Sequence, residues 1–194
     1  YMVSSGLIDK TDVSHYRLSI HLSLALLILC IILWYIFDVF NIKKFKLKIS
    51  NLILISILIL IVLQIILGSF LAGLNGGLIY NTWPDMNGAF LPNDIQFKNY
   101  FSKELVDNPS IVQLFHRITA YILLFSLIFL NYYFYKSNLN LRLIIFLDLA
   151  ILLQIILGIV TLLTGVEIVY ASLHQLGSIL VLSSYLLILY KNFN

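Results

Sequence analysis

The chain has 194 residues, of which 61% are hydrophobic and only 11% are charged, and its mean hydropathy is +0.99. Soluble domains carry roughly a quarter charged residues, so this composition excludes a soluble globular protein and indicates an integral membrane protein. The net charge of +3 is small and the lysines cluster in loops, which argues against a nucleic-acid partner. The single cysteine, Cys30, lies in an apolar run and is interpreted as a small buried hydrophobic group.

Five apolar segments are long enough to cross a bilayer, which takes about 20 helical residues. They lie at about 18–40, 50–74, 111–135, 141–165 and 168–190. Lipid offers the backbone no hydrogen-bond partners, and the short alternating strands of a barrel are missing from the pattern. The sequence therefore predicts an all-α integral membrane fold with five transmembrane helices, whose longest loop (about 75–110) holds all three prolines.

Basic residues in the short loops predict the orientation of the spans. Loops on the cytoplasmic side carry an excess of Lys and Arg. Such residues occur between spans one and two, between spans three and four, and after span five: Lys43, Lys44, Lys46, Lys48, Lys136, Arg142 and Lys191. We expect this side and the C-terminus to be cytoplasmic, or to face the matrix in a mitochondrion, and the loop 75–110 to lie outside.

Two similarities within the chain indicate a duplicated set of helices. The hexapeptide "LQIILG" occurs at Leu63–Gly68 and again at Leu153–Gly158. The opening "MVSSGL…VSHYRLSIHLSLALLIL" is also similar to "IVTLLTGVEIVYASLHQLGSILVL" near the end. Membrane proteins are often built from such repeats, with a site between them. We therefore expect residues 1–40 to be the tail of an N-terminal repeat, 41–51 a cytoplasmic lysine-rich loop, and 52–194 a complete C-terminal four-helix repeat.

The repeated hexapeptide carries a glutamine and a glycine in each copy. Gln64 and Gln154 sit in apolar helices, where interhelical hydrogen bonding is the expected role. Gly68 and Gly158 are interpreted as positions of close helix approach. None of the four is assigned to chemistry at this level. The chain begins with Tyr1 rather than Met, and with most of a first repeat missing we expect it to be N-terminally incomplete.

Three histidines share one setting. His21, His116 and His174 each lie in the first turns of a span that runs from outside to inside, so we expect them at a similar depth near the outer face. Any one of them could be an interfacial residue bonded to a carbonyl, but three at matched depth favour a site, because ionisable groups in spans are costly. His15 lies in the polar segment "DKTDVSHYR" and is assigned the interfacial role.

The residues around these histidines favour haem over zinc. Zinc takes three or four convergent ligands, and no cysteine or carboxylate lies in the same helical turns. Haem needs two axial imidazoles, apolar walls and cations for its propionates. Arg117 follows His116, and Arg17 precedes His21 by four residues on the same helical face, so both could pair with propionates. Anchoring at the membrane interface is the alternative role for both arginines.

The segments "LQIILGSFLAGLNGGLIYNTWPDMNG", "VQLFHRITAY", "LQIILGIVTLLTGV" and "ASLHQLGSILVL" resemble the haem A synthase family (COX15/CtaA), in its alphaproteobacterial and mitochondrial branch. The resemblance extends over essentially all 194 residues, and "GLIYNTWP" is its most specific element. The opening "YMVSSGL…VSHYRLSIHL" resembles the connection between the third and fourth helices of that family, with His15 in place of an expected proline.

The resemblance implies an eight-helix protein of two four-helix halves, of which this chain contains the last helix of the first half and all of the second. It implies that His116 and His174 are axial ligands of a b-type haem. It also implies that His21 lies on the side of the substrate haem O, where its partner histidine belongs to helices outside this chain. We therefore expect the chain alone to be inactive.

The family's reaction oxidises a methyl group of haem O to a formyl group with molecular oxygen, and its product, haem A, serves cytochrome c oxidase. The implied location is the bacterial inner membrane, or the mitochondrial inner membrane in a eukaryote. Besides haem O, the candidate partners are an unidentified electron donor, haem O synthase, cytochrome oxidase assembly factors and further copies of the chain.

Two alternatives remain open at the level of sequence. A b-type membrane cytochrome that carries electrons without modifying its haem would show the same histidine spacing. A helical-repeat transporter or assembly subunit would use the histidines for proton movement and bind no haem. Carboxylates are scarce in the spans, which argues against the transporter: Asp38 lies at a cytoplasmic end, and Asp148 is interpreted as hydrogen-bonded within the bundle. The stretch Gly76–Phe90 is interpreted as a cap on the outer side of the haem pocket, with a plain connecting loop as the alternative.

Overall fold

The computed structural model describes residues 13–94 and 104–193. Its helices are α1 (His15–Val39), α2 (Asn51–Gly73), the short α3 (Glu104–Asp107), α4 (Pro109–Lys136), α5 (Arg142–Leu163) and α6 (Ile168–Asn192), with a 3-10 turn at Gly76–Leu78. The five long helices are apolar enough to cross a membrane. The five predicted spans are thereby confirmed, with ends within about three residues of the prediction. The opening motif "MVSSGL" lies outside the described residues.

Local sequence signals fix where the helices of the C-terminal bundle begin. Asn108 caps α4 by accepting hydrogen bonds from the backbone N–H groups of Ser110 and Ile111, and Pro109 occupies the first turn. Ser50 caps α2 in the same way through the N–H of Leu52. A tight turn at Gly165, whose φ is +69°, then returns the chain into α6. The short turn makes α5 and α6 antiparallel neighbours.

The packed core lies in the lysine-rich half of the bundle. Leu54, Phe134, Ile144 and Leu182 are fully buried there. Tyr185 is also fully buried, and its hydroxyl donates to the Leu54 carbonyl at 2.7 Å. Burying apolar area in this half holds the four helices of the repeat together.

The lysine-rich ends of the chain meet at one end of the bundle. The N–H of Phe45 donates to the Lys191 carbonyl at 2.8 Å, and that of Leu47 donates to Asn192 Oδ1 at 2.7 Å. The N–H of Lys48 donates to Ser137 Oγ at 2.8 Å. The basic segments therefore share one side, as the charge pattern predicts, and the histidine-bearing helix starts lie at the opposite end.

Apolar side chains at the opposite end are not packed by the protein. On α6, Ile168 is 76% exposed and Leu176 is 59% exposed. α1 lies against α2 and α6, α4 against α2, and α5 against α6. The bundle is thus tightly packed at the lysine-rich end and loosely packed at the level of the histidines. We call this loosely packed part the open half of the bundle.

Candidate functional site

His116 on α4 and His174 on α6 face each other across the open half of the bundle. Their ring centroids are 6.4 Å apart, and the ring planes are inclined by 80°. Two imidazoles bound to one metal from opposite sides, each at a metal–nitrogen distance of about 2 Å, would have centroids roughly 6 Å apart. The predicted pair is therefore brought together at a spacing that suits a shared metal centre.

Two glycines of the repeated hexapeptide lie against these imidazoles. A Cβ added to Gly68 on α2 would lie 3.2 Å from Cε1 of His116, and one added to Gly158 on α5 would lie 3.0 Å from Cε1 of His174. The prediction of close approach at these glycines is confirmed, and the approach is to the candidate ligands themselves. Sequence reasoning assigned the glycines no part in the site, although their equivalent places in the repeat were the available signal.

Gln64 contacts His116 directly. Its Nε2 lies 3.3 Å from Nε2 of His116, and its Oε1 accepts a hydrogen bond from the Thr119 hydroxyl. These contacts link α2 to α4, so the predicted interhelical hydrogen bonding of Gln64 is confirmed. Because an amide nitrogen can only donate, Nε2 of His116 accepts and the proton of the neutral ring resides on Nδ1. That Nδ1 is buried and has no hydrogen-bond partner in the part of the chain that the structure describes.

His174 is held by a main-chain group instead. Its Nδ1 lies 3.1 Å from the carbonyl oxygen of Gln154. A carbonyl only accepts, so Nδ1 carries the proton and Nε2 presents its lone pair, which is the form of histidine that binds metals. The side-chain Nε2 of Gln154 is buried and has no hydrogen-bond partner among the described residues. The predicted interhelical hydrogen bond of this side-chain nitrogen is therefore not found there, and the contact with α6 is made by the main-chain carbonyl.

The loop that follows α2 is tied to α4 by Arg117. The guanidinium donates to the carbonyl oxygens of Asp85 at 2.7 Å, Thr82 at 2.9 Å, Pro84 at 3.3 Å and Tyr80 at 3.4 Å. Arg117 thus lies one residue from His116 and holds the loop over the N-terminal turns of α4. Its pairing with a haem propionate stays a prediction, and the contacts with the loop carbonyls were not foreseen.

A second set of contacts fastens the same loop. Asp94 accepts hydrogen bonds from the Tyr80 hydroxyl at 2.5 Å and from the Ser110 hydroxyl at 2.6 Å. Gln113, which is 1% exposed, donates to the Tyr80 carbonyl at 2.9 Å. The loop therefore packs closely on α4, and the side chain of Met86 in this loop is only 1% exposed. These contacts fasten the loop beside His116, and its role as a cap on a haem pocket stays a prediction.

The loop contacts shift the pKa values of two of its side chains. Burial and the hydrogen bond to Asp94 raise the pKa of Tyr80 above 10.0. Burial alone would raise the pKa of Asp94, but the hydrogen bonds from Ser110 and Tyr80 outweigh it and lower that pKa below 3.8. At neutral pH the pair is therefore a phenol bonded to a carboxylate, which is the form that holds the loop.

The remaining predicted residues lie apart from the pair. His21 has an exposed side chain on α1 and, among the described residues, makes no ring contact with His116 or His174. Arg17 lies on α1 four residues before His21 and is partly buried. α1 begins at His15, and Nε2 of this residue lies 2.9 Å from Oδ1 of Asp107. His15 is therefore an interfacial residue with a carboxylate partner.

The donor set at the pair fits haem better than zinc. In residues 13–94 and 104–193 no group of three or more His, Cys, Asp or Glu side chains could hold a metal ion. Two facing imidazoles suffice when the metal brings its own four equatorial ligands, as haem iron does. The glycine-lined rings, the free Nε2 of His174 and the apolar surroundings fit that group.

Comparison with known proteins places the chain among membrane assembly proteins. A family model, COX15-CtaA, described as cytochrome oxidase assembly protein, matches residues 1–186. A protein named heme A synthase from Pelagibacter ubique (strain HTCC1062) is 65% identical over 194 residues, which are 100% of this chain and 58% of that protein. No solved structure matches the chain.

More distant relatives carry the same name. The heme A synthase of Wolbachia pipientis wMel is 40% identical over 188 residues, covering 95% of this chain and 53% of that protein. The heme A synthase of Ehrlichia canis (strain Jake) is 41% identical over 196 residues, covering 96% and 54%. The chain therefore spans between 53% and 58% of the length of these curated relatives.

Proposed function

The chain belongs to the COX15-CtaA family of cytochrome oxidase assembly proteins, in its alphaproteobacterial branch, and we propose that it forms the C-terminal part of a haem A synthase. The complete enzyme would oxidise a methyl group of haem O to a formyl group through successive oxygen-dependent hydroxylations. The electrons would come from a separate donor. The reaction would take place at the substrate haem, of which His21 supplies one ligand and Arg17 one propionate partner.

The observation that carries the proposal is the facing pair His116 and His174. Their centroid distance of 6.4 Å, together with the family membership, supports axial ligation of a b-type haem in this repeat. Bound there, the haem would supply a one-electron redox centre. The protein would supply the two imidazoles, the close glycine contacts that fix their rings, and the apolar walls of the open half of the bundle.

The loop 76–90 would cover the outer edge of this site. It is held to α4 by Arg117 and by the Asp94 contacts, directly beside His116. A covered site excludes water, which strengthens the electrostatic interactions inside it. The four carbonyl contacts use Nη1 and Nη2 of Arg117, so Nε–H is the donor that would be left for a propionate.

The location and partners follow from the same proposal. Five membrane-spanning helices make the chain an integral membrane protein. We place it in the bacterial inner membrane, with the lysine-rich end and the C-terminus on the cytoplasmic side. Haem O is the proposed substrate of the complete enzyme, and haem O synthase and cytochrome oxidase assembly factors are its proposed neighbours.

Optical spectroscopy tests the haem site. The purified chain, His116→Ala and His174→Ala would be loaded with haem b, and oxidised and reduced spectra would be recorded. A low-spin b-type spectrum that is lost in both variants is the expected result. His15→Ala is the matched control, because that imidazole bonds to Asp107 away from the pair, and its spectrum should match that of the unmodified chain. A folded protein that takes up no haem would refute the proposal, and formyl formation by the complete protein separates the enzyme from a cytochrome.

A further inference from the structure

The two candidate ligands are held by opposite ring nitrogens. Gln64 donates to Nε2 of His116, whereas the Gln154 carbonyl binds Nδ1 of His174. We propose that Gln64 is a positioning residue that competes with the haem iron for Nε2 of His116, so that His116 is the exchangeable ligand and His174 the permanent one. The inference rests on the proposed haem site and adds an unequal role for its two ligands.

The contact at His174 strengthens that imidazole as a ligand. Donation from Nδ1–H to a carbonyl fixes the ring orientation and raises the basicity of Nε2. The Nε2 lone pair is then available without breaking any contact to Gln154. Nothing in this arrangement has to be undone when a metal binds.

The contact at His116 weakens that imidazole as a ligand. Binding a metal at Nε2 breaks the hydrogen bond from Gln64. Within residues 13–94 and 104–193 it gains no support from the other side of the ring, because Nδ1 is buried there without a hydrogen-bond partner. When the imidazole leaves the metal, Gln64 can bind it again. A free state of His116 is therefore stabilised by Gln64 and has no counterpart at His174.

The repeat shows that the difference is built into the chain. Thr119, three residues after His116, anchors the amide of Gln64 through its hydroxyl. The residue three positions after His174 is Gly177, against which the amide of Gln154 lies, so a Cβ there would be 1.9 Å from Nε2 of Gln154. A hydroxyl anchor thus exists at one ligand, while the equivalent place at the other has no side chain. The amide of Gln154 is consequently not directed at an imidazole.

Binding of carbon monoxide to the reduced, haem-loaded chain tests the inference. Carbon monoxide needs a coordination position that becomes free only when one imidazole leaves the iron. Gln64→Leu removes the group that stabilises free His116, so the affinity for carbon monoxide should fall about five-fold, the effect of a hydrogen bond worth about 1 kcal/mol. Thr119→Val releases the amide from its anchor and should lower the affinity in the same direction.

Ser126→Ala on α4 is the control, because its hydroxyl donates to the Ile122 carbonyl of the same helix and contacts neither imidazole. Its carbon monoxide affinity should equal that of the unmodified chain. An unchanged or higher affinity in both Gln64→Leu and Thr119→Val would overturn the inference, since a purely structural role would loosen His116 and raise the affinity. Failure of the unmodified chain to bind haem would refute the proposed function instead, so the two failures can be told apart.

Discussion

Gly158 lies so close to the ring of His174 that a Cβ at this position would be 3.0 Å from Cε1. The backbone of α5 therefore forms one wall of the histidine pair, and Gly68 on α2 does the same for His116 at 3.2 Å. A haem held between the two imidazoles depends on both rings keeping their places. The glycines consequently offer a way to disturb the site without removing a ligand.

Gly158→Ala should push the imidazole of His174 out of its position and weaken haem binding. Extra atoms in a tight contact cost about 1–3 kcal/mol, which corresponds to haem binding that is weaker by about five-fold to 150-fold. Haem titration followed in the Soret band measures the affinity. Ser126→Ala on α4, away from both rings, is the control and should bind haem normally. Equal haem affinity in Gly158→Ala and the control would show that the glycine contact does not matter for the site.

Arg117→Gln should release the loop 76–90 even when no haem is bound. The side chain would lose most of its contacts to four carbonyls, and a lysine could not replace the planar fork of donors either. Hydrogen exchange of residues 80–86 should speed up in both Arg117→Gln and Arg117→Lys. Arg142→Gln, at the lysine-rich end, is the control. Faster exchange only in the haem-loaded protein would mean that Arg117 acts through a propionate and not through the loop.

The loop should be docked on α4 only between a low and a high pH limit. A titration of docking against pH should therefore show an acid limb and an alkaline limb. Asp94 has a lowered pKa, so its contribution is present above the ordinary value of 3.8 and is lost as the pH falls through the lowered pKa. Tyr80 has a raised pKa, so its contribution is present below 10.0 and is lost as the pH rises through the raised pKa. The loop should therefore be docked at neutral pH and released towards both extremes.

Fluorescence of Trp83, which lies in the loop and is 44% exposed, reports this release. The second tryptophan, Trp34, packs on Tyr190 and would be replaced by Phe in all samples. Asp94→Asn should shrink the acid limb, and Tyr80→Phe should remove the alkaline one. The acid limb that remains in Asp94→Asn should come from Asp85 in the same loop, whose pKa is lowered by a hydrogen bond from Thr82. An acid limb of full size in Asp94→Asn would exclude the Tyr80–Asp94 contact as its origin.

Much of the fold could be predicted because a bilayer leaves few alternatives for long apolar segments. The similar depth of His116 and His174 could also be predicted, since each lies in the first turns of a span that runs in the same direction, and the resemblance then indicated which two histidines form the pair. The rotation of each helix about its axis could not be predicted, because it is set by packing against other helices. That rotation decides that Gln64 reaches the imidazole of His116 while the amide of Gln154 faces a glycine.

The hydrogen bonds of Arg117 to the loop could not be predicted from the sequence either. Its position beside His116 suggested a propionate partner, because the histidines indicated haem. The structure adds carbonyl oxygens from residues about 32–37 positions away in the chain, which no local spacing could indicate. Contacts between a loop and a helix of this kind depend on how the loop folds back, and the loop was predictable only as a break in the apolar pattern.

Asp148→Asn should leave both haem binding and the fold nearly unchanged. Asp148 accepts a hydrogen bond from Asn131 at 3.0 Å, which confirms the predicted role of a carboxyl bonded within the bundle. An asparagine keeps an accepting oxygen, and interhelical hydrogen bonds in membranes average about 0.6 kcal/mol, so thermal unfolding followed by circular dichroism should shift little. Asn131→Leu and the double variant complete a cycle that measures the pair. If Asp148→Asn folded normally but lost the haem or its low-spin spectrum, the carboxyl would have a functional role, and proton movement through the bundle would become the stronger hypothesis.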